Sequence, residues 1–331
     1  MRILGIDIGG TKTAICVGSG TGKILSSIRI PTLTATSMKD YFRQIKLKCD
    51  EAMDQAGLKM RDIDAVGISA PGPLSVPKGM LLAPPNNPGW KNVPVVRVME
   101  DMLGRPVILN NDANAAVLAE YYFGKFKGTR DLIYLTFSTG MGGGIIAAGR
   151  LVQGVNDMGG EVGHQTLDIN GAECGCGRRG CWEAYVGGRN LAERLKAKIR
   201  AGNIKTLIVD KAGGDIDRIT AKSLAEATRA GDPFAVAEWD SFMEHLAHGI
   251  GNIIMILNPK AIVLGTMAIH EGSLVMKPLK EKLRKYTWEW PRKACTIAPS
   301  NLGVEIGELS AIAVGIAGTD ATRSLTPPAR G

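Results

Sequence analysis

A histidine and three cysteines fall close together in the second half of the sequence. His164 ends the run Gly160-Glu161-Val162-Gly163-His164, and Cys174, Cys176 and Cys181 follow in a Gly- and Arg-rich stretch. One imidazole nitrogen and three thiolates complete a tetrahedral donor set with no open position, the pattern of a structural zinc ion. Cys174 and Cys176 are too near in sequence to bridge each other without strain, which counts against a disulfide. Cys16, Cys49 and Cys295 stand alone and are expected in the core. Trp182-Glu183 follows the last ligand directly, so a bound ion would also fix where Glu183 points.

Two Gly-rich turns are a second kind of chemistry. In Asp7-Ile8-Gly9-Gly10-Thr11-Lys12-Thr13, backbone amides can approach a phosphate because Gly9 and Gly10 carry no side chains, and Thr11 adds a hydroxyl donor. Asp7 at a strand end could hold a hydrated magnesium ion, and Lys12 contributes positive charge. Neither GxxxxGK[ST] nor a GxGxxG opening a helix occurs here. By itself this turn reads equally well as an ordinary hairpin. The matching place in the second half carries Ser138-Thr139-Gly140-Met141-Gly142-Gly143-Gly144, and two such turns at equivalent positions favour phosphate binding over coincidence. Between them lies Asn110-Asn111-Asp112-Ala113-Asn114, after a strand and at a helix start. Asp112 is expected to cap that helix. The helix N-terminus also favours its ionised form, which can accept a proton from a hydroxyl nucleophile.

The elements around these residues follow from periodicity. Ile3 to Ile8, Ala14 to Gly18 and Lys23 to Ile30 read as strands, and a Ser37-capped amphipathic helix runs from Met38 to Ala56. Strands at Ile63 to Ser69 and Val107 to Leu109 alternate with helices at Val95 to Leu103 and Ala113 to Phe123. The order restarts with strands at Leu132 to Phe137, Gly143 to Ala148 and Leu151 to Gln153. Helices follow at Trp182 to Arg200, Ala221 to Arg229 and Pro233 to Leu257. A strand at Ala261 to Leu264, a helix near Leu274 to Lys285, a strand at Cys295 to Ala298 and a helix near Ile306 to Ala317 complete the pattern. Recurrence at an offset of roughly 130 residues points to an internal duplication. The expected small lobe is 1–123, completed by the helix near 306–318. The expected large lobe is 124–305, and the Pro-containing tail 324–331 is expected to be disordered.

Composition narrows the classes. The 331 residues are 45% hydrophobic and 22% charged, which excludes disordered and collagen-like chains. Apolar runs such as Gly249 to Leu257 fall short of the about 20 residues of a membrane span. Asp7 interrupts the N-terminal apolar run, so no signal peptide is expected and the protein is read as cytoplasmic. The net charge of +8 is spread over helical stretches with acidic residues interleaved, a solvated face and not a nucleic-acid surface.

Taken together, DIGGTKT, APGP, PNNPGW, NNDANA, STGMGGG, GGEVGH and CGCGRRGCWEAY, with a looser LNPKAIVLG ending at Gly265, resemble the ROK family of repressors, open reading frames and sugar kinases. The resemblance implies an α/β, actin-like (ribonuclease H-like) ATPase fold of two duplicated lobes, with sugar and ATP meeting in a cleft. It implies Asp112 as general base and Asn86, Asn111, Asp112, Glu161, His164 and Glu183 as sugar-binding residues. ATP, with Mg2+, would be held by Asp7, Gly9, Gly10, Thr11, Lys12, Thr139, Gly140, Gly142 and Gly265. Structural Zn2+ would be held by His164, Cys174, Cys176 and Cys181, and the protein would be a homodimer or higher homo-oligomer. The implied reaction is ATP-dependent phosphorylation of a hexose, with glucose to glucose 6-phosphate as the main reading. An N-acetylmannosamine, N-acetylglucosamine or fructose kinase is the alternative, and a sugar-binding transcriptional regulator without its DNA-binding domain a remote one. Two segments depart from the family pattern. Gly265-Thr266-Met267 stands where relatives show paired glycines, and Gly307-Glu308-Leu309-Ser310-Ala311 lacks the usual Gly-Ala pattern. A β-branched residue at 266 is expected to obstruct close approach of the nucleoside.

Overall fold

Short apolar runs punctuated by glycine turns give strands before they give helices. In the computed structural model, which describes residues 1–32, 37–83 and 89–319, β1 (Arg2–Ile8), β2 (Lys12–Ser19) and β3 (Ile24–Pro31) form an antiparallel meander. Ile8 pairs with Thr13 across the first Gly-rich turn. Helix α1 (Met38–Gln55) follows, with the Ser37 hydroxyl accepting from the Asp40 amide as its cap. Strand β4 (Ala65–Ala70) runs parallel to β1. After it come the hairpin β5 (Leu74–Ser75) and β6 (Met80–Leu81), α2 (Val95–Leu103), β7 (Val107–Asn111) parallel to β4, and α3 (Asp112–Phe123).

The plan then repeats with β8 (Leu132–Phe137), β9 (Met141–Ala147) and β10 (Arg150–Leu151). Helices α4 (Trp182–Val186), α5 (Gly188–Gly202), α6 (Leu207–Lys211), α7 (Ala221–Arg229) and α8 (Pro233–Leu257) precede β11 (Ala261–Leu264). The remaining elements are α9 (Met267–Glu271), α10 (Ser273–Lys282), α11 (Glu289–Ala294), β12 (Thr296–Pro299) and α12 (Ile306–Thr319). The two large sheets have the orders β3-β2-β1-β4-β7 and β10-β9-β8-β11-β12. Each sets three sequential strands beside two reached by crossovers, which is the duplication that the sequence pattern implies. The tail 324–331 lies outside the described residues, as does Asn86.

The chain divides into two compact units, one of Met1–Tyr134, Gly144–Gly160 and the segment from Ser300, the other of Leu135–Gly143 and Glu161–Pro299. In the first, alternation along β1 sends Leu4, Ile6 and Ile8 to the face covered by Tyr41, Phe42 and Ile45 of α1 and Met99 of α2. Ile3 goes to the opposite face with Cys16, Ala65, Ile312 and Ile316, beneath α12. Such two-sided burial makes the strand read as one continuous apolar run. Gly67 allows α12 its close approach, since a Cβ there would stand 2.0 Å from the Ala311 carbonyl oxygen.

In the second unit, α8 is anchored to α4 by Trp182, which is fully buried and donates its indole N–H to the His245 carbonyl at 2.9 Å. The single helix expected over Trp182 to Arg200 is two helices. Gly187 takes an extended conformation (φ −69°, ψ 128°), and α5 starts afresh at Gly188. The Gly188 and Arg189 amides then donate to the Ser138 and Thr139 carbonyls at 2.7 and 3.0 Å, so the break turns a helix N-terminus onto the second Gly-rich turn.

Gly67→Ala should lower the urea midpoint, because the added methyl meets backbone and not a movable side chain. Overpacking of this kind costs roughly 1–3 kcal/mol. An unchanged midpoint would show that α12 is free to shift.

Candidate active site

The first Gly-rich turn is closed by Gly9 N–H donating to the Lys12 carbonyl at 2.9 Å. Behind it, the Thr32 hydroxyl donates to the Gly9 carbonyl at 2.8 Å, and the Thr13 hydroxyl lies 2.8 Å from that of Thr32 and 2.7 Å from that of Tyr41. Thr11 and Lys12 are exposed. Asp7, next to the end of β1, accepts from the Ser69 hydroxyl at 2.8 Å, and α12 comes near enough that a Cβ on Gly307 would lie 2.5 Å from its other oxygen. Burial pushes the Asp7 carboxyl up to about 6, against the hydrogen bond from Ser69 and with help from the Glu308 carboxylate. Glu308 is itself buried and is held by the Arg29 guanidinium at 2.6 Å.

Asp112 is the first residue of α3, and the cap expected there belongs to Asn111, whose Oδ1 accepts from the Ala113 amide at 2.9 Å. Asp112 Oδ1 reaches the same amide at 2.8 Å. Sequence reasoning gave no role to Asn110 and Asn114, although both sit in the NNDANA run. Both are buried, and Asn110 Oδ1 accepts from the Asn111 amide at 2.9 Å and from Asn114 Nδ2 at 3.2 Å. The backbone on either side of Asp112 is thereby fixed. The APGP turn comes close too, for a Cβ on Gly72 would stand 3.3 Å from Asn111 Nδ2.

In the second turn the Ser138 amide donates to the Gly140 carbonyl at 3.0 Å, and the Met141 amide donates to Glu183 Oε2 at 2.8 Å. Ser138 and Thr139, with Arg189, Thr266, Met267 and His270 among others, line a cavity of about 520 Å³ within the second unit. Small-molecule sites span roughly 300–1,000 Å³. Gly265 is tied to β8 by its amide on the Leu135 carbonyl at 2.8 Å. Thr266 lines the cavity without filling it. Its backbone has φ 39° and ψ −97°, a region that costs a non-glycine residue on the order of 1–3 kcal/mol. Its hydroxyl lies 3.0 Å from that of Thr136.

The donor atoms of His164, Cys174, Cys176 and Cys181 all lie within 4.8 Å of one another. Cys174 Sγ is 3.8 Å from His164 Nδ1, and Cys176 Sγ is 3.6 Å from Cys181 Sγ. The edges of a tetrahedron around an ion with zinc-like bond lengths are about 3.5–3.8 Å, so the four donors could hold one metal ion. No disulfide joins the cysteines. Glu183 stands beside the cluster, its Oε1 3.8 Å from Cys174 Sγ. Glu161 begins the turn that carries His164, whose amide donates to the Glu161 carbonyl at 3.1 Å. Of the sugar-binding candidates, Asn111 and Asp112 stand in the first unit and Glu161, His164 and Glu183 in the second, while Asn86 is outside the described residues.

A carboxyl with a raised folded pKa disfavours folding wherever it is ionised, so the penalty from Asp7 is fully present above about pH 6 and fades as pH falls towards the ordinary aspartate value of 3.8. Asp7→Asn should therefore stabilise the ligand-free protein at pH 8, by at most about 3 kcal/mol at 1.36 kcal/mol per pKa unit. The gain should vanish near pH 4. Urea unfolding at both pH values checks it, and a variant less stable than wild type at pH 8 would contradict the assignment.

The ROK family model matches residues 3–315. A glucokinase of Thermotoga maritima is 34% identical over 288 residues, which are 86% of this chain and 88% of that one. Among solved structures, the ROK hexokinase from Thermus thermophilus aligns with a TM-score of 0.82 at 32% identity, covering 96% of this chain and 99% of its own. A ROK family glucokinase from Streptomyces griseus, solved in complex with glucose and AMPPNP, aligns with a TM-score of 0.78, again at 32% identity and covering 96% and 99%. With a family match over nearly its whole length and both sheets in the duplicated order, this chain belongs to the ROK family and has its actin-like ATPase fold.

Proposed function

We propose that this protein is an ATP-dependent glucokinase, converting glucose to glucose 6-phosphate. The observation that carries the reading is the placement of Asp112 at the head of α3, with its backbone fixed by Asn110, Asn111 and Asn114, in a chain a third identical to a glucokinase. Asp112 takes the proton of the sugar hydroxyl as its oxygen bonds to the γ-phosphorus of ATP and the bond to ADP breaks. Catalysis is otherwise positioning and charge stabilisation. The amides of Gly10, Gly140 and Gly142, the Thr11 and Thr139 hydroxyls and Lys12 bind the phosphates around the turn that Gly9 closes, and Asp7 would help hold the magnesium that accompanies ATP. The cavity beside Ser138 and Thr139, reached by Gly265 and Thr266, takes the nucleoside.

Asn86, Asn111, Asp112, Glu161, His164 and Glu183 are the proposed sugar ligands, with carboxylates accepting from vicinal hydroxyls. His164, Cys174, Cys176 and Cys181 would hold zinc, which would supply no chemistry to the substrate but would orient the His164 ring and the loop beside Glu183. The same set of ligands suits N-acetylated hexosamines and fructose, so a panel of hexoses assayed with ATP decides the substrate. The enzyme is also read as cytoplasmic, from its N-terminal sequence, and by the family resemblance as homo-oligomeric. No helix among the described residues is long and apolar enough to cross a membrane.

Asp112→Asn should lower kcat by roughly 10²–10⁴-fold, since the amide keeps the shape but cannot take the proton. Glucose affinity, measured by calorimetry on the folded variant, should stay within about tenfold. Near-wild-type turnover would remove Asp112 from the mechanism. Elemental analysis should find about one zinc per chain. Cys176→Ser should lower the melting temperature and weaken glucose binding on the order of tenfold, because losing one donor frees the whole loop. A metal-free preparation with full activity would refute the zinc assignment.

A further inference from the structure

We infer that Thr136 and Thr266 form a positioning pair for the nucleotide, their hydroxyl–hydroxyl bond locking the turn between β11 and α9 to strand β8. The inference rests on the reading of the adjoining cavity as the nucleoside site. Thr136 is the last residue but one of β8, and Phe137, Ser138 and Thr139, which follow it, line that cavity. Thr266 precedes α9, which contributes Met267, His270 and Glu271 to the lining. The bond of 3.0 Å between the two hydroxyls, with the Gly265 amide on the Leu135 carbonyl at 2.8 Å, joins these two stretches of lining. The Thr266 carbonyl also accepts from the Ile269 and His270 amides at 3.1 and 3.2 Å, so the position of Thr266 sets the start of α9.

What makes this more than a packing contact is the backbone. Thr266 has φ 39° and ψ −97°, which glycine adopts freely and a β-branched residue does not. Strained conformations persist where their surroundings over-determine them, and they concentrate at ligand sites. Here the determining partner is Thr136, a residue outside the cavity lining. A glycine at 266 would relax the turn but release its grip on β8, leaving a wall with more conformations to lose on binding. Obstruction by the threonine and clasping by it therefore predict opposite signs for the glycine variant.

The test is AMPPNP binding by calorimetry on the whole protein, alongside ATP-dependent glucose kinetics. Thr136→Val, which keeps shape and loses the hydroxyl, should weaken AMPPNP about three- to tenfold, the upper figure being about 1.4 kcal/mol. The kcat at saturating ATP and the affinity for glucose should stay within about twofold of wild type. Thr136→Ser should restore AMPPNP affinity to within about twofold. Thr266→Gly should weaken AMPPNP while leaving the melting temperature unchanged or higher. AMPPNP affinity unaltered in Thr136→Val, tighter binding in Thr266→Gly, or failure of Thr136→Ser to rescue would each overturn the inference. So would a wild type that binds no AMPPNP. If the wild type binds AMPPNP with the expected variant pattern but phosphorylates no hexose, the kinase reading falls and the positioning pair stands. If glucose is phosphorylated and Thr136→Val changes nothing, the pair alone falls.

Discussion

A Gly-rich turn can offer amides to an anion only while its other polar groups are satisfied elsewhere, because an unsatisfied carbonyl would pull the turn into a different shape. The two turns solve this differently. The first is held by hydroxyls, with Thr32 on the Gly9 carbonyl and Thr13 and Tyr41 linked behind it. The second is held by a helix N-terminus, whose Gly188 and Arg189 amides meet the Ser138 and Thr139 carbonyls. Four orphan amides begin every helix, and here two of them are used on a loop in place of a cap. The shape of the second turn thus depends on where α5 begins.

That dependence runs back along the chain to the cluster of His164 and the three cysteines. Cys181 is the residue before α4, and Trp182 fastens α4 to α8 through its buried ring and its bond to the His245 carbonyl. Glu183, one residue on, holds the Met141 amide of the second turn. Gly187 then breaks the helix and aims α5. The position of Cys181 can therefore govern the second Gly-rich turn through the five residues of α4 and one break. In the first unit the comparable constraint is electrostatic. Asp7 is kept against Glu308, whose charge is balanced by Arg29, so the ligand-free site carries a carboxyl that is costly to ionise and that a bound cation would relieve.

How much of this was legible in the sequence depends on whether the signal is local. The four residues that could hold a metal ion lie in one short segment and announce themselves by type. The strands of both sheets are short apolar runs between glycines, and Asp232 and Ser37 cap the helices that their positions indicate. Where two local rules agree on neighbouring residues, the sequence cannot separate them. Asn111 and Asp112 are both good caps, and the structure assigns the role to Asn111. The break at Gly187 was hidden because α4 and α5 continue one apolar periodicity, and only the distant Ser138 carbonyl gives a reason for it. The very short α6, α9 and α11 lack the length for any periodic signal.

Thr266 is the case in which a local rule, that a β-branched residue obstructs, meets a contact that the rule does not consider. A β-branched residue in a glycine position does crowd its surroundings if its side chain points into the space a ligand needs. Whether it does depends on χ1, which the backbone sequence does not specify. With a hydroxyl partner available at Thr136, the rotamer that makes the bond is selected, and the cavity keeps about 520 Å³ with Thr266 in its wall. The departure from paired glycines at 265 and 266 thus cannot be judged at that position alone. It has to be read with residue 136, some 130 positions away in sequence and one hydrogen bond away in space.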